Sequence, residues 1–312
     1  MKTLTNNPAM WAKRSCLLLG LAFFASQSHA VTFSAGLENT AWNLEASPFT
    51  CKLSQTIPAF GTATFEREAG ESVLFYLEAS QRELLSGQAV LQAESPAWLP
   101  GFSNTRIGLV NLDEGKKRVK VDSKEASIML ASLHQGKFPT FNARSFSQSQ
   151  DSLRVQVSSV NFQDAYNRYQ TCIAGLLPVN FRQIARTAIL FNSDGTDMSD
   201  DAKDRLDMIA RYISVDKSVL SIYVDGHADA QGRRLLNRDL SKKRAQAVSD
   251  YLVKKGIPES MVITRFHGER YPVVDNKTAD HRARNRRVTI RLDREANSSN
   301  GEFPEEDATQ TQ

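Results

Sequence analysis

Cysteine is scarce in this chain, long apolar runs are nearly absent, and the short motifs that announce catalysis are missing. Of three cysteines in 312 residues, Cys16 lies in an N-terminal apolar run, which leaves only Cys51 and Cys172 beyond it. That run, Cys16 to Ala25, is ten residues long, and no later segment approaches the ~18 uninterrupted apolar residues of a membrane helix. There is no G-x-S-x-G and no H-E-x-x-H, so neither an activated serine nor a helical zinc site is announced. His227, Asp229, His267 and His281 are too scattered to form a tight ligand spacing. The basic runs Arg233-Arg234 and Arg282 to Arg287 lack the interleaved aromatics that stack on bases, which argues against nucleic acid. A binding protein is expected rather than an enzyme, with no cofactor and no metal.

What is present begins with an export signal. Lys13 and Arg14 precede the apolar run, and Ser28-His29-Ala30 closes it with small residues at −3 and −1. Residues 1–30 are therefore expected to be a signal peptide cleaved after Ala30, with a periplasmic mature chain and no membrane span. Cys16 stands at the start of the run, the wrong end for lipid attachment. In an oxidising compartment, Cys51 and Cys172 are expected to pair, closing a long loop for ~4–5 kcal/mol in a chain-entropy estimate. Charge is unevenly spread: residues 31–179 carry 13 basic and 14 acidic side chains, 180–294 carry 23 and 16, and 295–312 carry none and five.

The mature length suggests two domains. Residues 31–178 read as β-rich, with strands at Thr62 to Phe65, Ser72 to Leu77, Arg106 to Leu109, Arg118 to Val121 and Leu153 to Val157, set off by glycines and prolines. Two helices interrupt them. Lys124 to Leu133 places Ile128, Leu130, Ala131 and Leu133 near one side before Gly136, and Phe162 to Leu177 carries Cys172. Pro178 marks the boundary. Residues 180–294 then alternate: a strand at Arg186 to Phe191, a helix capped by Ser199, a strand at Val219 to Val224, a helix from Asn237 to Lys255, and strands at Met261 to Phe266 and around Val288, Ile290 and Leu292. That order, β-α-β-α-β-β, predicts an α+β domain with a mixed sheet and helices on one face. The acidic residues 295–312 are expected to be disordered.

In the second of these helices Leu240, Arg244, Val248 and Leu252 follow one another at i+4, so Arg244 falls in the stripe that faces the sheet, while Lys242 and Lys243 point elsewhere. A guanidinium there needs a partner, and Asp229 lies in the loop that leads into the helix. Two readings are open: an internal ion pair, or a clamp for a ligand carrying both signs. An amino-acid headgroup is such a ligand, its ammonium donating to Asp229 and its carboxylate accepting from the Arg244 fork.

The segments Gly226-His227-Ala228-Asp229, Asn237-Arg238-Asp239-Leu240-Ser241-Lys242-Lys243-Arg244-Ala245 and Arg282-Ala283-Arg284-Asn285-Arg286-Arg287-Val288 resemble the signature of the OmpA C-terminal family. The resemblance covers residues 180–294 and implies that the clamp binds the diaminopimelate side chain of peptidoglycan. It places Asn237, Phe191 and Asn192 around the pocket and makes Gly226, Leu240, Ser241, Asn285 and Arg286 its supports. Two departures stand out: Ala228 where the family has Thr, and His281 where it often has Gly.

Upstream, Pro48-Phe49-Thr50-Cys51, Ile57-Pro58-Ala59-Phe60-Gly61, Gly136-Lys137-Phe138-Pro139-Thr140-Phe141 and Ser158-Ser159-Val160 resemble the MotY family of flagellar motor proteins. Phe138, Phe141 and Phe162 themselves are read as packing residues. This second resemblance implies a T-ring component whose β-rich domain meets the basal-body ring and a MotX-like protein, and which anchors or recruits stator units against peptidoglycan. The competing expectation is a general envelope tether of the OmpA family with no part in motility.

Overall fold

The structure is a computed structural model, and it describes residues 30–38, 40–80, 87–96, 103–112, 118–144, 152–193 and 195–295. The expected signal peptide, apart from Ala30, and the expected disorder of 296–312 lie outside the described residues. Ala30 opens the first strand.

Two five-stranded sheets form the N-terminal half. One runs, edge to edge, β1 (Ala30–Ser34), β10 (Ser152–Gln156), β9 (Phe138–Arg144), β6 (Gly87–Glu94) and β7 (Thr105–Leu112). The other runs β2 (Trp42–Ala46), β3 (Thr50–Ile57), β4 (Gly61–Glu68), β5 (Leu74–Ala79) and β8 (Arg118–Val121). Alternation explains the arrangement: in β3, Cys51, Leu53, Gln55 and Ile57 are buried and the residues between them are not. Phe65, Phe75, Leu91 and Phe141 join them in one core, with Phe75 stacked on Phe141 at 5.8 Å. The β-rich expectation holds. The structure adds β1, β2, β3, β6 and β9 to it; in β3 and β6 the buried residues alternate with less buried ones, several of them polar.

Helix α1 (Ser123–His134) forms where the sequence predicts it, with its inward face shifted from the expected stripe. Ala126, Met129, Leu130 and Leu133 are buried, whereas Ile128 is 37% exposed and Ala131 faces solvent. The spacing i, i+3, i+4, i+7 belongs to the first set, so the stripe read from the sequence is right at Leu130 and Leu133 and wrong at Ile128 and Ala131. Helix α2 (Phe162–Ala174) packs on β2 and β3 and presents Cys172 to Cys51, with their Cα atoms 6.1 Å apart in a disulfide.

The second core belongs to a four-stranded sheet of order β11 (Arg186–Leu190), β14 (Arg287–Arg294), β12 (Val219–Gly226) and β13 (Val262–Phe266). β12 and β13 are parallel and the other pairs antiparallel, as a mixed sheet requires. Helices α4 (Asp200–Val215) and α5 (Arg234–Lys254) cover one face. Ser199 caps α4 by accepting the Ala202 amide, and Ala202, Leu206, Ile209, Ala210 and Ile213 turn inward. Two α-helices go beyond the sequence expectation: the four-residue α3 (Phe181–Ile184) and α6 (Ala279–Asn285), which forms on the arginine-rich segment.

The two halves touch through specific groups. Asn180 caps α3 by accepting the Gln183 amide, and its own Nδ2 donates to Glu71 at 3.1 Å. Arg182 pairs with Glu68 at 2.6 Å. Phe49 packs on Tyr212 at 5.4 Å, and Ala69 is buried within the second core.

Candidate functional site

The loop after β12, the first turns of α5 and the residue preceding β14 converge on a narrow recess of about 60 Å³, lined among others by Asp229, Asn237, Leu240, Arg244 and Arg286. The close approach of α5 to β12 makes this possible. A Cβ on Gly226 would stand 2.2 Å from the Ser241 carbonyl oxygen, so only glycine lets helix and strand meet there. Ser241 then closes the seam: its hydroxyl accepts the Gly268 amide at 3.0 Å and donates to the Arg238 carbonyl at 2.8 Å.

Arg244 is fully buried, as its helical phase predicts, and Lys242 and Lys243 are exposed. Backbone groups hold its guanidinium. Nε donates to the Gly195 carbonyl at 2.9 Å, and Nη2 to those of Asn192 and Ser193 at 2.5 and 2.8 Å. The guanidinium also lies over the Phe191 ring, 5.4 Å from its centre. These bonds hold the loop that joins β11 to α4 as one wall of the recess. Asn192 thus enters through its carbonyl, and Phe191 through its ring.

Asp229 is buried too, and its ion-pair partner is Arg286, not Arg244. Arg286 Nη1 donates to Oδ2 at 2.9 Å, while Oδ1 accepts the Gln231 amide at 3.0 Å. Arg286 further donates to the Phe191 carbonyl at 3.3 Å. The signal for this pairing is present in the sequence. Val288, Ile290 and Leu292 face the helices, so Arg286 shares their side of the strand, and Arg287 takes the opposite one. Asn237 donates to Glu269 at 2.8 Å from the far wall.

Asn285 is fully buried and holds the neighbouring loop in place. Its Oδ1 accepts the Val273 amide at 3.0 Å, and its Nδ2 donates to the Val274 carbonyl at 2.8 Å and to Asn276 Oδ1 at 2.9 Å. Asn276 Oδ1 in turn accepts the Ala230 amide at 3.1 Å, next to Asp229. Ala228 is buried and donates its amide to the Gly268 carbonyl. His281, in contrast, sits on α6 beside Asp275 at 2.5 Å and does not line the recess. That bond, together with the Lys277 amide, holds the Asp275 carboxyl below the usual carboxylate range.

The lining of the recess carries groups of both charges. A carboxylate has about four lone-pair sites, and the two named bonds leave Asp229 able to accept from an ammonium. Asp229, Arg244 and Arg286 all line the recess, so it carries one carboxylate and two guanidinium groups.

A four-stranded mixed sheet with two helices on one face and this recess at its loop end defines an OmpA-type module, and the OmpA family matches residues 190–286. Over 97 residues, 31% of this chain and 26% of the relative, the identity to outer membrane porin F of Pseudomonas aeruginosa is 40%. The peptidoglycan-associated lipoprotein from Burkholderia pseudomallei aligns over 34% of this chain and 89% of its own, with a TM-score of 0.33 and 24% identity. The MotY N-terminal domain matches residues 33–178. Over 291 residues, 91% of this chain and 98% of the relative, the chain is 30% identical to the sodium-type flagellar protein MotY of Vibrio parahaemolyticus. The chain belongs to the MotY family.

Proposed function

We propose that this protein is a periplasmic motor component that grips peptidoglycan through the recess of its C-terminal half and holds the fixed parts of a flagellar motor to the wall. The observation that carries the reading is the convergence of buried Asp229, Arg244 and Arg286 on one recess in a chain that matches a flagellar relative along nearly its whole length. Asp229 takes the ammonium of a diaminopimelate side chain and the arginines its carboxylate, with Asn237 at the rim. Peptidoglycan is then the C-terminal partner. The N-terminal sheets supply the surface for the basal-body ring and a MotX-like protein, in the T ring, from which stator units are recruited.

Whole-length similarity favours this over a general envelope tether, since a relative such as porin F matches over only 31% of this chain. Mechanically, a stator must resist torque, and the bonds joining the two halves at Glu68, Glu71 and Tyr212 carry load from recess to ring. The test is sedimentation with purified peptidoglycan of wild type, Asp229→Ala and Arg244→Ala, paired with deletion of the gene. Expected are lost pelleting in both variants and, on deletion, assembled flagella that do not drive swimming. Undiminished pelleting by both variants removes the clamp; normal swimming with a blebbing envelope supports the tether instead.

A further inference from the structure

The other face of the C-terminal sheet, away from α4 and α5, floors a second and much larger hollow of about 750 Å³. Its charge is one-sided: among the described residues, Arg186, Arg265, Arg284 and Arg287 line it against the single carboxylate of Asp225. That carboxylate is already engaged, by Arg265 at 2.7 and 2.8 Å and by His267 at 2.9 Å. Arg186 and Arg284 are exposed. Beside them Leu190, Tyr271 and Val273 are 54, 59 and 56% exposed. A concave face that joins bare apolar side chains to positive charge suits an extended, acidic segment with an aromatic anchor.

This chain carries such a segment. Residues 296–312 contain no basic side chain, and Glu302-Phe303-Pro304-Glu305-Glu306-Asp307 sets four carboxylates around one aromatic ring. It follows β14, itself a floor strand of the hollow. From Arg294 back to Thr289 at mid-floor is roughly 17 Å of strand, and the eight residues to Glu302 reach ~26 Å when extended. We propose that residues 302–307 dock into this hollow. Phe303 packs against Leu190, Tyr271 and Val273, and the carboxylates meet Arg186 and Arg284. Pro304 keeps the segment extended and removes one amide that could pair with a sheet edge. Tethering to β14 supplies an effective concentration in the millimolar range, so modest contacts suffice.

The test uses a labelled peptide of residues 299–310 and three forms of the chain from Val31: one running to Gln312, one ending at Glu295, and the shortened one carrying Arg186→Glu and Arg284→Glu. Both substituted arginines are exposed, and matched melting curves establish that the third form folds. Fluorescence anisotropy is expected to give saturable binding to the shortened chain. The two substitutions should weaken it at least about tenfold, and so should competition from the tethered segment in the full chain. A peptide with Phe303→Ala should bind more weakly at equal charge. No binding to the shortened chain overturns the proposal, as does equal binding to all three forms. A full chain that dimerises with concentration where the shortened chain does not overturns the intramolecular form, since the segment then occupies a second copy.

Discussion

Arg286 Nη1 meets Asp229 Oδ2 at 2.9 Å, and this ion pair, with side chains 14 and 10% exposed, forms one side of the recess whose other side is held by Arg244. The acid of the site is thereby placed before any ligand arrives. Removing one partner of a buried pair leaves the other charge uncompensated, at a cost of about 3–5 kcal/mol. Asp229→Ala is expected to lose peptidoglycan binding and to lower the unfolding free energy, because Arg286 is stranded. Asp229→Ala combined with Arg286→Met should recover much of the stability and none of the binding. Urea denaturation and peptidoglycan sedimentation on the same preparations separate the two effects.

Much of this site is legible in the sequence because helical phase and strand alternation are local. The i+4 series through Arg244 puts its guanidinium on the sheet side, and the order of strands and helices implies the mixed sheet. The backbone partners of Arg244 are not legible. They are carbonyls of residues 192, 193 and 195, some fifty positions away, and a carbonyl leaves no residue-type signature. The pairing of Asp229 is legible only when the alternation of Val288, Ile290 and Leu292 is carried back past the start of β14 to Arg286, a step that the helical phase of Arg244 does not prompt. In the N-terminal half, strands such as β3 hide their buried residues behind alternating polar ones, so apolar runs alone underestimate the sheets.

Gly226 offers a test of the helix–strand approach. A Cβ there would stand 2.2 Å from the Ser241 carbonyl oxygen and 3.0 Å from Ala245 Cβ, both on α5. Backbone cannot swing aside as a side chain can, so Gly226→Ala forces α5 away from β12. The expected cost is about 1–3 kcal/mol, the range for overpacking a closed interior. Binding should fall as well, because α5 carries both Asn237 and Arg244. Thermal unfolding and sedimentation with peptidoglycan measure the two losses.

The Cys51–Cys172 bridge ties α2 to β3 across 121 positions of sequence. Reduction should lower stability by about 2–5 kcal/mol, the usual range for loss of a native disulfide. Leu177 donates its amide to the Pro48 carbonyl, and Phe49 packs on Tyr212, so the same region also joins the two halves. Cys51→Ala with Cys172→Ala is therefore expected to loosen the joint while leaving the recess intact. Limited proteolysis near residues 174–180 should quicken, and peptidoglycan binding by the folded variant should stay at the wild-type level.

His227 sets a pH dependence. Its ring is buried, stacks on His267 at 5.0 Å, and has no hydrogen-bond partner at Nδ1 among the described residues. Burial first, then the charges of Arg287 and His267, push its pKa down from 6.5 to about 4, against a smaller pull from Asp225. The unfolded chain binds this proton near pH 6.5 and the folded chain only near 4, so between them the unfolded state holds more protons. Stability from this group is complete above about pH 6.5, declines as pH falls, and levels off near 4, by up to about 3 kcal/mol. Asp225 acts in a lower window. Burial alone raises its carboxyl, but bonds from Arg265 and His267 outweigh that and hold it below the usual carboxylate value. Its contribution is present above the unfolded value and is lost as pH falls through the depressed one. Urea unfolding of wild type and His227→Gln at about pH 7, 5.5 and 4.5, spanning that window, is expected to give a shallower slope in the variant; an unchanged slope would assign the titration to another group.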